Sequence, residues 1–333
     1  MVRTGAYAYV KYGYESDYAG SATIDKSFGL KASVSGWTLT TNRIKMGKLG
    51  QVEPATFAYG TQNGTLSVGF VLSDLTSHDV FKAFYGSAAG QGTHASPYLY
   101  PATNAQGAAA KTFVGNTFST EIGFQGETDT MTRTVKGCIL NSLSITAAIG
   151  DVVNCSADIA YGKEDAPSTS FGTAPTEGST PFTFANGQLK LSNGSSSVVI
   201  AEIQDVDINF AQNGDLLYQL GSNQAVAGIK RMLDVTGRFK ASWKNDDALQ
   251  AVIAQLKGTA YKETWGDKYS GSPEFELKFT NGVSGSGRRE IIITGIGLSV
   301  GDHSVSGLEP AEPVFEEINW QVKHVRIEAI KAN

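Results

Sequence analysis

From Thr65 to Gly86 the chain alternates and then changes period. Leu66, Val68, Phe70 and Leu72 fall on every second residue, so they share one face of a strand. Val80, Ala83 and Phe84 then follow the i, i+3, i+4 spacing of one helix face. Thr76 and Asp79 have the spacing of a capping box at the switch, and Gly86 supplies a C-terminal stop. The pattern predicts strand, turn, short amphipathic helix. Adding 169 to each number reproduces it: Val235, Gly237, Phe239 and Ala241 for the strand, and Leu249, Val252 and Ile253 for the helix face. The same offset carries Leu30, Trp37 and Leu39 onto Val199, Val206 and Ile208. Further on, an offset of 155 carries Ile122 and Phe124 onto Leu277 and Phe279, and Leu143 to Ile145 onto Leu298 to Val300. A duplication accounts for both offsets, with 169 − 155 = 14 extra residues in a Gly/Ala/Pro-rich loop of the first copy after Phe84.

Elsewhere, short apolar-polar alternations are separated by Gly, Asn, Asp and Ser. The opening residues hold Tyr7, Tyr9, Tyr12, Tyr14 and Tyr18, too many aromatics for a disordered tail. They form either an edge strand or an arm that docks on a neighbouring subunit. Val34 to Thr41 reads as a strand, followed by an excursion, Asn42 to Asn63, that carries Arg43, Lys45, Lys48, Glu53, Phe57 and Tyr59. It is longer than an ordinary hairpin connection, and Ala211 to Leu233 is its counterpart. Either the pair of excursions serves assembly, the favoured reading, or each conceals a hairpin. Phe118 to Phe124 is a strand. Thr132–Leu140, Leu143–Ile149 and Val152–Tyr161 read as a meander with a tight Gly150-Asp151 connection. In the last strand, apolar parity switches at Lys323-His324, which predicts a β-bulge. The expected organisation is an arm over 1–27, a first domain over 28–164, a linker rich in Pro, Ser and Thr over 165–180, and a second domain over 181–333. Both domains are all-β sandwiches or barrels, each with one short flanking helix and one long inter-strand loop.

Composition narrows the function. Only 18% of the 333 residues are charged, and the net charge of −5 argues against a protein that grips nucleic acid. The two cysteines, Cys138 and Cys155, suit a reducing compartment better than a disulfide framework. No run approaches the length of a membrane-spanning helix, and no signal peptide is evident. The four histidines lack metal-ligand spacing, so no metal or cofactor is expected. Ser77-His78-Asp79 has triad residue types, but neighbours at a helix start cannot face one another as a triad requires. Gly285 to Arg289 reads as a turn rather than a phosphate cradle. Glu202, Asp205 and Asp207 form the one local acidic group: a solvated strand face, or the lining of an acidic channel.

Four stretches carry a family resemblance: YGYESDYAGSATIDKSFGL, SGWTL, YGTQNGTLSVGFVLSDLTSHDVFKAFYG and GCILNSLSITAAIGDVVNCSADIAYGKE. In this order the chain resembles the major tail tube protein of long-tailed, siphovirus-like phages and related archaeal tailed viruses. The resemblance is strongest over 8–164, and the second half joins it through the internal repeat. It implies a structural, non-enzymatic virion protein of the tail, assembled in the host cytoplasm. Six tube domains would close a ring, and rings would stack into a conduit for genome ejection. With two domains per chain, the ring is a homotrimer of pseudo-sixfold symmetry. Implied partners are the tape measure, terminator and baseplate proteins, with double-stranded DNA passing unbound and no membrane. Tyr7, Tyr9, Tyr12, Tyr14, Lys45, Lys48, Glu53, Phe57 and Tyr59 are then candidates for contacts between subunits or rings. Glu202, Asp205 and Asp207 are candidates for the lumen wall. The competing reading is an adhesin or virion decoration protein that meets a host glycan with Tyr98 and Tyr100.

Overall fold

The computed structural model describes residues 8–46, 56–74, 77–86, 90–93, 96–100, 117–125, 130–177, 180–192, 197–200, 203–242, 274–283, 287–306 and 314–331. The first half contains β1 (Ala8–Tyr14), β2 (Lys26–Ser27), β3 (Leu30–Met46) and β4 (Thr56–Val71). A 3-10 turn, Ser77–Phe81, runs into α1 (Lys82–Tyr85). Then come β5 (Tyr98–Tyr100), β6 (Phe118–Gln125), β7 (Thr130–Ala148), β8 (Asn154–Tyr161) and β9 (Lys163–Glu164). The second half holds β10 (Gly187–Ser192), β11 (Ser197–Ile200), β12 (Ile203–Ala211), β13 (Asp215–Tyr218), β14 (Ala225–Ile229), β15 (Asp234–Ser242), β16 (Glu274–Thr280), β17 (Glu290–Ser306) and β18 (Phe315–Ile330). The protein is all-β with one short helix among the described residues, as a chain rich in alternating β-branched and aromatic residues dictates.

The two halves share one pairing scheme. Antiparallel contacts order the first as β2–β1–β6–β7–β8–β4–β3. The second runs β11–β10–β16–β17–β18–β15–β12, with each strand in the same chain order. In each, one long strand crosses from one layer of a sandwich to the other. The front of β7 pairs with β6 and its back with β8; the front of β17 pairs with β16, while β18 runs along the whole of β17. Both bend at a glycine in the left-handed region, Gly137 (φ 63°) and Gly297 (φ 71°). In both, the register shifts a few residues later, at Leu140/Ser142 and Val300/His303.

Three local expectations are corrected. The stretches 132–140 and 143–149 are one bulged strand, β7, rather than two arms of a meander. The register shift near the C-terminus lies in β17 rather than at Lys323-His324; Gly297 instead sits against the Lys323 side chain, where the parity of β18 changes. The offset of 169 holds for β3 and β12 but not for the strands that follow. Trp37 pairs with Leu66, but Val206 pairs with Phe239, four places beyond Val235. Cross-strand glycines set the true correspondence: Gly64 lies under the Tyr161 ring and Gly237 under the Trp320 ring. Leu39 pairs with Gly64 and Ile208 with Gly237, so the second excursion is (237 − 208) − (64 − 39) = 4 residues longer. The second-copy helix, Leu249 to Ile253, and the cap residue Thr76 lie outside the described residues. Gly86 closes α1 as expected, its N–H donating to Lys82 O.

Aromatic packing joins the layers. The Phe28 ring lies 4.5 Å from Tyr12 and 5.9 Å from Phe70, and Phe275 lies 4.3 Å from Trp320. β1 is thus an internal strand of the first half, between β2 and β6. The segment after β9 is no free tether. Phe171 packs on Tyr9, Thr132 bridges Ser168, and Phe182 is buried between Leu72 and Val153 with backbone hydrogen bonds to both. Cys138 and Cys155 are both free and buried, and burial pushes both thiols above their usual range. We expect no reaction of the native protein with an aromatic disulfide reagent, and two thiols titrated after denaturation without reductant. Rapid labelling of the native chain would contradict this burial.

Candidate assembly and conduit surfaces

β12 of the second half lies antiparallel on β7 of the first, so the sheet runs unbroken between the halves. The joint pairs Leu143 with Phe210, Ile145 with Ile208 and Ala147 with Val206, six side chains that the core buries. The 3-10 turn and α1 rest on it from the apolar side: Phe81 of the turn and Phe84 of α1 lie 5.8 and 5.7 Å from the Phe210 ring. The resulting layer has eight strands, β3–β4–β8–β7 followed by β12–β15–β18–β17.

That layer ends in two open edges. Among the described residues, β3 pairs with β4 alone, and residues 297–306 of β17 pair with β18 alone. β3 is the counterpart of β12, and β17 is the counterpart of β7. The edges therefore match the two strands that already meet inside the chain. Leu39 shows what is missing: it is 45% exposed, whereas its counterpart Ile208, covered at the joint, is 1% exposed.

The solvent face of the layer is polar from edge to edge. One register row reads Ser33, Gly69, Ser156, Ser144, Asn209, Thr236, Gln321, Ser299. An open concavity of about 560 Å³ spans the joint on this face, lined among others by Ser144, Thr146, Asn209 and Gln321. Asp205 and Asp207 do lie here, beside Arg238, whose Nε donates to Asp207 Oδ2 at 2.6 Å. Arg238 also lies 3.8 Å from Asp205 and 3.4 Å from Glu317. Partial burial raises the pKa of Asp205, and the hydrogen bond to Asp207 raises that of Arg238. Asp158 takes hydrogen bonds from Ser67 and Ser142. With Lys240 opposite Glu317, four carboxylates face two cations, a net of −2 on this stretch. Glu202 lies outside the described residues. Sequence reasoning weighed the acidic trio and passed over the hydroxyl and amide row. The signal was there, in the polar half of each alternation, but which strands align it is decided by pairing.

The other candidates separate. Tyr9 and Tyr12 are buried within the chain itself, which does not fit contacts between subunits; the segment is a strand, but an internal one between β2 and β6 rather than the edge strand expected. The Tyr9 hydroxyl donates to Glu121, and burial pushes its pKa to about 12. Tyr14 donates to Asp79 O. The excursion after Thr41 is a two-stranded arm: β3 continues to Met46 and β4 begins at Thr56, with Lys45 opposite Phe57 and Arg43 opposite Tyr59. The Lys45 side chain is exposed. Tyr7, Lys48 and Glu53 lie outside the described residues. Of the glycan candidates, on β5 beside β18, Tyr100 is buried and Tyr98 is half-buried, stacked on His78 at 5.1 Å. Burial lowers His78 to about 4, and Asp79 pairs with Lys26 instead. Arg288 and Arg289 are held by Glu290 and Asp74.

The second excursion, Ala211 to Leu233, conceals a hairpin, the alternative to an assembly loop. Its hairpin, β13–β14, lies across the first half. Gln212 N donates to Asn141 O at 2.7 Å, and Gly214 N to Asn141 Oδ1 at 3.1 Å. At the far end Tyr218 donates to Gln62 O, and Gln62 N to Asn223 O, both at 2.7 Å. Lys230 caps α1 through the carbonyls of Ala83 and Phe84, with its pKa lowered to about 8 by burial.

Against known proteins, the family model described as phage tail tube protein matches residues 5–322, a span that includes both halves. No curated protein matches the chain.

Proposed function

The chain belongs to the phage tail tube protein family, and from that premise we propose that three copies close into one ring of the tube, each supplying two tube domains. Family membership makes it a structural component of the viral tail that assembles with itself. The finer reading is carried by one observation: the joint between β7 and β12, with its matching open edges at β3 and β17. Repeating that joint between chains puts β17 of one copy against β3 of the next. Eight strands per chain then make 3 × 8 = 24 strands in a closed barrel, and closure removes every edge. At about 4.8 Å per strand, an untilted barrel of that size is about 37 Å across, and tilt widens it. A DNA duplex passes through such a bore.

The polar row and its weak negative charge then face the lumen. Hydroxyls and amides keep the wall wet, while a small negative surplus repels phosphate, so DNA slides without being held. Stacked rings would form the conduit through which the genome leaves. Cryo-electron microscopy of assembled tubes tests the reading. The expected result is threefold rings with pseudo-sixfold density and the 87–116 segment appearing three times. Rings of six whole chains would overturn the trimer.

A further inference from the structure

An asparagine followed by glycine is chemically labile, because the glycine nitrogen reaches the side-chain amide with no Cβ in the way. The chain carries five such pairs, at Asn63, Asn186, Asn193, Asn213 and Asn281. Asn193 lies outside the described residues. Three of the others are locked. Asn63 stands within β4 opposite Thr40, and its Gly64 is paired on both sides, with Leu39 and Tyr161. After Asn186, the Gly187 N–H donates to Phe184 O. The Asn281 side chain accepts from the N–H groups of Val283 and Arg289 and donates to Gly287 O.

Asn213 is held differently. It is exposed, stands between β12 and β13 outside both ladders, and takes the left-handed conformation at φ 48°, which asparagine tolerates. Its Gly214 N–H is guarded by a side chain, donating to Asn141 Oδ1 at 3.1 Å. The main-chain oxygen of Asn141 accepts the two preceding N–H groups, of Gln212 at 2.7 Å and Asn213 at 3.4 Å. One residue of the β7 bulge thus fixes three successive amides at the base of the second hairpin.

We propose that Asn213 is a site of spontaneous deamidation, gated by the docking of this hairpin on Asn141. The Gly214 nitrogen loses its proton and attacks Asn213 Cγ; the Cγ–Nδ2 bond breaks, and ammonia leaves with that proton. Water then opens the five-membered imide at Cγ, giving aspartate, or at the main-chain carbonyl, giving isoaspartate. While Asn141 Oδ1 accepts the Gly214 N–H, a deprotonated nitrogen would face that oxygen's lone pairs, so attack waits until the hairpin lifts. Either product places a new carboxylate two residues from Asp215, which Arg231 holds. Isoaspartate also lengthens the main chain by one carbon between amides that all meet Asn141, so the hairpin cannot seat again in the same register.

Peptide mapping by mass spectrometry tests it, on the full dispersed chain at mildly alkaline pH. Asn213 should convert at least about tenfold more slowly in the native chain than in urea. Asn141→Ala should close most of that gap, while Asn63, Asn186 and Asn281 keep their native rates. Equal native rates in wild type and Asn141→Ala would overturn the gate. Conversion of any of those three ahead of Asn213 in Asn141→Ala would overturn the site. If that variant does not fold, hydrogen exchange of the wild type decides. One N–H bond guards both reactions, so the native slowing of deamidation should match the exchange protection of the Gly214 amide within about threefold. A wider mismatch overturns the proposal.

Discussion

Leu39→Glu yields a chain that folds as the wild type does and no longer forms rings. In the isolated chain Leu39 is 45% exposed on the outermost strand, so a carboxylate there meets water and unfolding should shift by no more than about 0.5 kcal/mol. At the joint the position corresponds to Ile208, which Ile145 and its neighbours bury completely. A glutamate in that place loses the apolar contact and strands a charge with no cation opposite. The cost is at least about 2 kcal/mol, roughly thirtyfold in association, at every joint. With the three joints of the proposed ring the effect multiplies, so sedimentation should show monomer at concentrations where the wild type is fully assembled. Leu39→Ile, which keeps the apolar surface, should assemble normally. Tubes of normal abundance from Leu39→Glu would show that this edge is not the joint.

Gly64→Ala acts on the other side of the same balance and attacks the fold itself. An added Cβ lies 2.0 Å from Cζ of Tyr161, inside the ring. The ring has no room to retreat: Tyr161 is buried, its hydroxyl donates to Thr38 O at 2.9 Å and accepts from Trp37 Nε1 at 2.8 Å. Relief requires overpacking strain or the loss of both hydrogen bonds, about 3 kcal/mol in all. The thermal midpoint should fall by several degrees, and Tyr161→Val in the same chain should recover part of the loss because it vacates the space. Gly237 under Trp320 should behave alike, with an added Cβ 2.3 Å from the indole. Full stability of Gly64→Ala would remove the glycine-aromatic pairs as the markers that align the two halves.

How far the chain was legible follows from what kind of information each feature needs. Alternation along Leu66 to Leu72 and along Leu143 to Ala147 depends only on which side chains prefer to leave water, and it placed β4 and the back of β7 correctly. The glycine stop at Gly86 is a local backbone preference and was equally readable. Bulges were not: residues 132–149 look like two strands because one extra residue at Asn141 flips parity, and only a partner strand tells a flip from a turn. The same ignorance of partners sent Tyr9, Tyr12 and Tyr100 outward in expectation when the fold buries them, and Tyr98 when it half-buries it. What the sequence determined by itself is the repeated alternation, and with it the all-β class and the two halves. Tertiary structure decided what lies next to what: β12 on β7, the polar row across eight strands, and the open edges at β3 and β17. The reason is physical. Burial preference is a property of each residue, written along the chain, whereas register and edge pairing arise from contacts between strands that are separated along it, whose free energy exists only once the strands have met.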